Sequence, residues 1–484
     1  MNKYIKNYIL SVANTICLLM FPIITFPYVS RILGPSNLGI INFAQSYGYY
    51  FMHIASFGIC SYAIREVSKV RDDKNKVKKI SNEIFNLNLI FSILSTILFF
   101  CGVFLVENFR NNAIVFSLYS ITILSNFLSL EWLLQSYDDY FFSTIRNFII
   151  QLLSLVAVFV FIKKEDDLIL YMVIFFIAEI GTKISSLIYI QKKYVKLTIR
   201  KKFLNFRDHI KPLFTLFTFR LVNGLSANLD KLMIGFMMMY ASVGVYSAGV
   251  KLVLILVPII ETVGIVLFPK INISAATSHS EYMKNITMNY NIILLMSIPM
   301  AVGIYLISGR LIPLFAGTQY TGAVSVSRIM SVIIILCPIG DMLGSKTLLV
   351  FKKDKWLLYC SCLVAISNIV LNAIFIPLWG INGAAGASVL SYIIAVLSRY
   401  YFTRKLIKIH LFSRAFLKYS AFTVPFIVIY IFFKEYVDNS TMWMFGFILL
   451  CAFIYFIELL VTKDKLLFTA IKKISEKRIM RNAC

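Results

Sequence analysis

The stretch "RLVNGLSANLDKLMIGFMMMY", residues 220–240, is apolar enough to lie in a bilayer, yet it carries Arg220, Asp230 and Lys231 with Asn223 and Asn228 between them. A charge at the centre of a membrane helix costs about 2.5–3.5 kcal/mol on insertion scales. At 3.6 residues per turn, Arg220 and Lys231 are predicted to lie within about 20° of each other around one helix, with Ala227 on the same line and Asn223 and Asp230 about 60–80° to one side. The expectation is one polar, small-residue face about 16 Å long. Such a face meets protein or water, never lipid. Arg can fork onto phosphate oxygens and Lys adds a point charge, so the face suits an anionic, phosphate-bearing ligand. The competing reading is an interhelical ion pair that uses Asp230 as its acid.

Other intramembrane polar residues extend this set. Glu179 and Lys183 stand four apart with the acid first, the favourable order for a helical salt bridge, although a carboxylate in a cavity could also take up a proton or cation. Lys251 and Arg328 would carry cationic character further along a cavity. Asn42, Gln45, Tyr47, Trp132 and Gln135 are types that hydrogen-bond and stack on sugars, or else join helices to one another. Glu131, Arg399 and Glu458 lie near span ends, where long side chains reach water. The turn "YDDY" (137–140) reads as solvated and not as a metal site.

The elements that must position these residues follow from composition. Of 484 residues, 59% are hydrophobic and 15% charged, and the mean hydropathy is +0.80. Apolar runs long enough to cross about 30 Å of hydrocarbon as helix recur throughout. We read fourteen spans, at 8–30, 37–62, 83–106, 112–135, 143–163, 168–190, 213–238, 243–268, 287–308, 323–346, 356–377, 383–403, 415–434 and 441–462. Pro22, Pro27, Pro258, Pro299, Pro338 and Pro425 fall inside spans, where membrane helices tolerate them as kinks.

The net charge of +25 is not a nucleic-acid footprint. Most Lys and Arg fall in alternate loops and the carboxy-terminal tail, as in "REVSKVRDDKNKVKK" and "QKKYVKLTIRKKFLNFRDHIK". That is the positive-inside asymmetry, which places both termini in the cytoplasm and favours anionic membrane lipids as partners. The eight cysteines form no CxxC pair and read as small core residues, and the four histidines offer no metal spacing. No cofactor is implied. Loops are too short for a separate soluble domain, and no GxxxxGK[ST] phosphate loop is present.

"LGIINFAQS" (38–46) and "VGVYSAGVK" (243–251) align at an offset of 205, matching Gly39 with Gly244 and Asn42 with Ser247. The expected fold is an all-α integral membrane protein with two pseudo-symmetric six-helix lobes, residues 1–200 and 201–410, around a central cavity. A further helix pair and basic tail would occupy 411–484. Related lobes facing a cavity are the usual plan of a secondary transporter.

Four stretches carry a more specific likeness: "VSRILGPSNLGIINFAQS" (29–46), "EWLLQSYDDYFFSTIRN" (131–147), "NLDKLMIGFMMMYASVGVYSAGVKL" (228–252) and "IPLWGINGAAGASVLSY" (376–392). In order and spacing they resemble the Wzx-type polysaccharide flippases of the multidrug/oligosaccharidyl-lipid/polysaccharide superfamily. Glu131 stands where many relatives carry Asp, which keeps the charge. The resemblance implies a flippase, not an enzyme, that carries undecaprenyl-diphosphate-linked oligosaccharide across the bacterial inner membrane by alternating access. It also implies a polymerase and a chain-length regulator as partners. Arg220, Asn223, Lys231, Lys251, Arg328, Asn42 and Gln45 would then line the path of the diphosphate and sugars, with Asp230, Glu179 and Lys183 as candidates for ion coupling. Rival readings are a peptidoglycan-precursor flippase, a multidrug exporter, or a membrane polymerase or ligase acting on the same lipid. The last would need a large outer loop that this chain lacks.

Overall fold

A computed structural model of the chain describes residues 3–199, 206–224, 228–464 and 466–468. The described residues form helices joined by short turns, and no strand occurs among them. Among the described residues ten helices are long and apolar enough to cross a membrane, from Lys74–Leu105 to Thr441–Val461. Asp354–Thr403 carries spans eleven and twelve, broken at Gly380, whose φ of 57° and ψ of −135° suit only a residue without a Cβ. Lys3–Ser56 carries spans one and two and breaks at Gly34, with φ 72° and ψ 173°. Span seven consists of Phe206–Gly224 and Leu229–Met237. The lipid-sized apolar runs of the sequence are thus helices, and the chain is a multi-pass membrane protein.

Contacts group the chain into two compact units, Met1–Ser247 and Ala248–Cys484. The first is held together by a ladder of buried polar pairs between apolar helices. Arg146, whose side chain is 4% exposed, donates to Glu131, Ser186 and Asn147, and Glu131 also accepts from Ser143 at 3.0 Å. Within the motif stretch 131–147, the "EW" acid and the downstream "RN" arginine are therefore the two ends of one ion pair. Asn126 donates to Asn88 at 3.2 Å, while Tyr62 and Glu83 bracket His209 at 2.7 and 3.1 Å. With so little water to solvate them, such groups persist only when paired.

The "YDDY" turn differs from expectation. Asp138, at φ 57°, pairs with Arg71 at 3.1 Å as an exposed turn residue should. Asp139 is instead drawn inward, 11% exposed, and accepts from Tyr189, Tyr194 and Lys193 at 2.7, 2.7 and 2.8 Å. Those donors come from the end of span six and the turn after it, which sequence spacing could not bring to residue 139. Burial alone would raise the Asp139 carboxyl, but the hydrogen bonds from Lys193, Tyr194 and Tyr189 outweigh it and hold the group below the usual carboxylate range. A carboxyl lowered on folding adds stability above its unfolded pKa of about 3.9, and loses it as pH falls through the folded value. Asp139→Asn is expected to cost about 1–3 kcal/mol at neutral pH through weakened hydrogen bonds. In thermal unfolding of purified protein, the gap between wild type and variant should close as pH falls below about 4.

The second unit packs span eight against span ten at Gly249. A Cβ there would lie 2.9 Å from the Ala323 carbonyl oxygen, and Ser327 donates to the Gly249 carbonyl at 3.2 Å. Span ten contains a π-helical turn, Gly344–Leu348. Across it, buried Lys346 reaches Asp341 at 3.0 Å, five residues away. Arg399 donates to the Gly340 carbonyl at 2.9 Å. Tyr290 and Tyr455 donate to the carbonyls of Leu411 and Leu295, and Lys418 pairs with Asp464 at 2.5 Å, which ties the terminal helix pair to span nine and to the turn after span fourteen. The described cysteines are free, as their spacing predicts.

Candidate functional site

The polar face expected on span seven takes a different geometry where it is described. One helix is described over Phe206–Gly224 and a second begins at Leu229, with Asn228 before it non-helical at φ −131° and ψ 9°. Extrapolating one helical phase over the eleven residues from Arg220 to Lys231 is therefore not valid. Ala227 lies outside the described residues, as does the side chain of Asn223. The physical reason is local: asparagine favours the cap over the helix interior. The restart places Asp230 in a first turn, where the helix dipole favours a carboxylate.

Arg220 and Asp230 nonetheless face the same neighbour, span two. Arg220 donates through Nη2 to Ser61 Oγ at 2.7 Å, and its charge also acts on His53 and Cys60. Gly224 permits close approach here: a Cβ on it would stand 3.0 Å from the Tyr49 hydroxyl and 3.1 Å from His53 Nε2. His53 Nε2 is buried and has no hydrogen-bond partner among the described residues. Further along, Asp230 accepts from the Tyr246 hydroxyl at 2.8 Å and its charge reaches Tyr50, while Lys231 donates to Asn228 Oδ1 at 3.3 Å. The result is a polar seam between spans two and seven, from Ser61, Arg220 and His53 at one end to Tyr50, Asp230, Lys231 and Tyr246 at the other.

The remaining candidates fall elsewhere. Asn42 donates to the Leu38 carbonyl of its own helix at 2.7 Å. Gln45 lines an apolar recess of about 240 Å³ with Ile41, Tyr119, Tyr171, Met172, Phe175 and Phe176, away from the seam. Glu179 and Lys183 form the helical salt bridge at 2.7 Å, and Thr122 and Ser125 complete it at 3.0 and 2.9 Å. In the second unit, Arg328 points its Nε at Ser308 and the Tyr305 carbonyl at 3.2 and 3.3 Å, next to Asp438. Lys251 is half-buried on span eight. No group of three ligating side chains that could hold a metal occurs among the described residues.

Sequence reasoning missed His53, Ser61, Tyr49, Tyr50 and Tyr246. A histidine inside a span was itself a signal, since intramembrane ionisable residues are functional candidates by default. Tyr49, four residues before it, shares its helical face.

An all-helical multi-pass chain with a cationic seam between its second and seventh spans has the build of a transporter, and its fold is found among known ones. It is similar to the lipid II flippase MurJ in an inward closed conformation, with a TM-score of 0.76 and 17% identity over 96% of this chain and 100% of that one. It is also similar to an inward-facing multidrug resistance MATE family transporter of the MOP superfamily, with a TM-score of 0.66 and 12% identity over 80% and 94%. These likenesses define the fold class, that of the MOP transporters. The chain belongs to the polysaccharide biosynthesis protein family, which it matches over residues 4–273. It is 22% identical over 374 residues, 76% of this chain and 88% of the other, to a protein of Escherichia coli (strain K12) provisionally named an O-antigen transporter.

Proposed function

We propose that the protein is a flippase that moves undecaprenyl-diphosphate-linked oligosaccharide repeat units across the bacterial inner membrane, a transporter and not an enzyme. The observation that carries this reading is the seam. A polysaccharide-family membrane protein has no structural need to hold Arg220 and Lys231 in one apolar span, whereas a diphosphate passing through needs cations along its way. Arg220, steadied by Ser61, binds the diphosphate, and Tyr49, Tyr50 and His53 meet the adjoining sugars. Asn223, Lys251 and Arg328 extend the cationic and polar path, and Asn42 and Gln45 serve the sugar portion.

The chain is organised as two six-span lobes, 1–200 and 201–410, with a terminal pair at 411–484, and both ends lie in the cytoplasm beside anionic lipid headgroups. A polymerase and a chain-length regulator act on the same lipid-linked units. The multidrug reading is less favoured because cationic drugs call for an acidic path, and the basic Arg220 end of this seam is the wrong sign for them.

The coupling carboxylate is Asp230 in preference to Glu179. Glu179 is already committed to Lys183 and Thr122 inside the first unit, whereas Asp230 lies on the seam itself. In a host lacking its own copy, Asp230→Asn is expected to leave surface polysaccharide insensitive to collapse of the ion gradient. Glu179→Gln is expected to retain that sensitivity and to lower thermal stability. Retained sensitivity in Asp230→Asn would remove Asp230 from this role.

A further inference from the structure

The turn before span five and the turn before span eleven are built alike. Asp138 and Lys352 both hold a positive φ, 57° and 56°, a conformation few side chains adopt. The backbone hydrogen bonds around them match one for one. Tyr137, Asp138 and Asp139 donate to the carbonyls of Leu133, Gln135 and Leu134, and Phe351, Lys352 and Lys353 donate to those of Thr347, Leu349 and Leu348. Asp139 and Lys353 then stand just before their helices, at φ −91° and −100°. Three residues further on, a ring stacks against the end of the neighbouring span, Phe142 on Tyr189 at 3.7 Å and Trp356 on Phe402 at 5.2 Å. The backbone is the same and the charge is opposite.

In the first unit the Asp139 carboxylate gathers Lys193, Tyr189 and Tyr194. In the second unit Lys353 stands at that position in the turn, with its Nζ 5.0 Å from the centre of the Trp356 ring. The guanidinium of Arg404, from the end of span twelve, lies 4.4 Å from the centre of the Tyr401 ring, which meets Phe402 edge-on at 5.3 Å. A run of rings thus joins two cations at one rim of the hairpin. Among the described residues the ion pairs of this unit are Lys346–Asp341 and Lys418–Asp464, so neither Lys353 nor Arg404 has a carboxylate. Where the first unit supplies its own anion, the second leaves an anion to come from outside.

The surface below the rim narrows the choice of anion. Tyr359, Leu363 and Ile366 on span eleven, with Leu397 and Tyr401 on span twelve, are exposed and run from the rim towards the middle of each helix. A soluble anion makes no use of that face, whereas a phospholipid covers it with its chains while its headgroup meets the cations.

We propose that Lys353 and Arg404 bind the phosphate of an anionic phospholipid, whose acyl chains lie along the exposed face of spans eleven and twelve. The lipid phosphate takes the part that the Asp139 carboxylate plays in the first unit. This site does not depend on what the chain transports.

Trp356 lies in the site and reports on it. In the full chain with Trp132, Trp379 and Trp443 replaced by Phe, reconstituted into vesicles, phosphatidylglycerol with brominated chains is expected to quench Trp356 at lower mole fraction than brominated phosphatidylcholine. The preference should fall by roughly fivefold on loss of either cation, the worth of one Lys or Arg at a membrane surface. Arg404→Gln tests one cation. Lys353→Asp tests the other and gives the turn the acid of the first unit, so it should abolish the preference altogether. Lys284→Gln, an exposed cation elsewhere in the same unit, should leave the preference unchanged. Equal quenching by the two lipids in the parent chain would overturn the site. So would an equal loss from Lys284→Gln, which marks diffuse attraction to a basic face, or displacement of the lipid by millimolar inorganic phosphate, which marks a soluble ligand. If the chain with one tryptophan does not fold, unfolding temperatures of the native chain and the same variants in micelles of each lipid decide it: phosphatidylglycerol should stabilise the parent over phosphatidylcholine, and Lys353→Asp should remove that difference.

Discussion

Arg220→Ala is expected to lower surface polysaccharide in a deletion host by about tenfold or more, the loss of at least one charge-assisted bidentate contact worth roughly 1.5–3 kcal/mol. The protein should reach the membrane in normal amount and unfold at its normal temperature, because among the described residues this guanidinium meets only polar atoms of Ser61 and Cys60, both small side chains of one helix. Arg220→Lys should fall between the two, since an ammonium keeps the charge and loses the fork. Ser61→Ala should produce a smaller drop of a few-fold, as it frees the guanidinium without removing it. Export assayed alongside membrane abundance checks all three. Wild-type polysaccharide with Arg220→Ala would remove the seam from the transport path.

The largest effect on stability is expected at the Glu131–Arg146 pair, and it should be lopsided. The Arg146 side chain is 4% exposed and that of Glu131 is 39% exposed. Glu131→Ala strands a buried guanidinium beside Ser186 and Asn147, a loss of about 3–5 kcal/mol by analogy with other broken buried pairs. Arg146→Met removes the buried charge and leaves a carboxylate that water can reach, so it should cost about 1–2 kcal/mol, in the range of lost packing and hydrogen bonds. The double variant should resemble Arg146→Met alone. Unfolding temperatures in detergent measure this directly, and equal single-variant losses would contradict the burial argument.

The spans were readable because twenty apolar residues admit one structure in a bilayer, and among the described residues each predicted segment is mostly helix. The Glu179–Lys183 bridge was readable too, since its partners lie four residues apart on one helix. What periodicity could not see was the interruption of span seven at Asn228, because a helical wheel assumes the continuity it is used to reveal. Nor could it pair residues contributed from far along the chain. Ser61 meets Arg220 across 159 positions, and Asp139 gathers Tyr189, Lys193 and Tyr194 from 50 to 55 residues away. The motif "EW…RN" marked the right residues, while its meaning as an ion pair needed the fold.

The π-helical turn at Gly344–Leu348 has a bearing on how this chain can change in length. In a regular helix Asp341 and Lys346, five residues apart, would point about 140° away from each other. The wider turn holds one residue more than an α-turn and brings them to 3.0 Å. Span ten therefore does not have the indel tolerance of a loop. Loss of any single residue between Asp341 and Lys346 would restore an α-helical register and pull a buried cation from its counter-ion, so the extra residue is a fixed part of the sequence's reading frame in space.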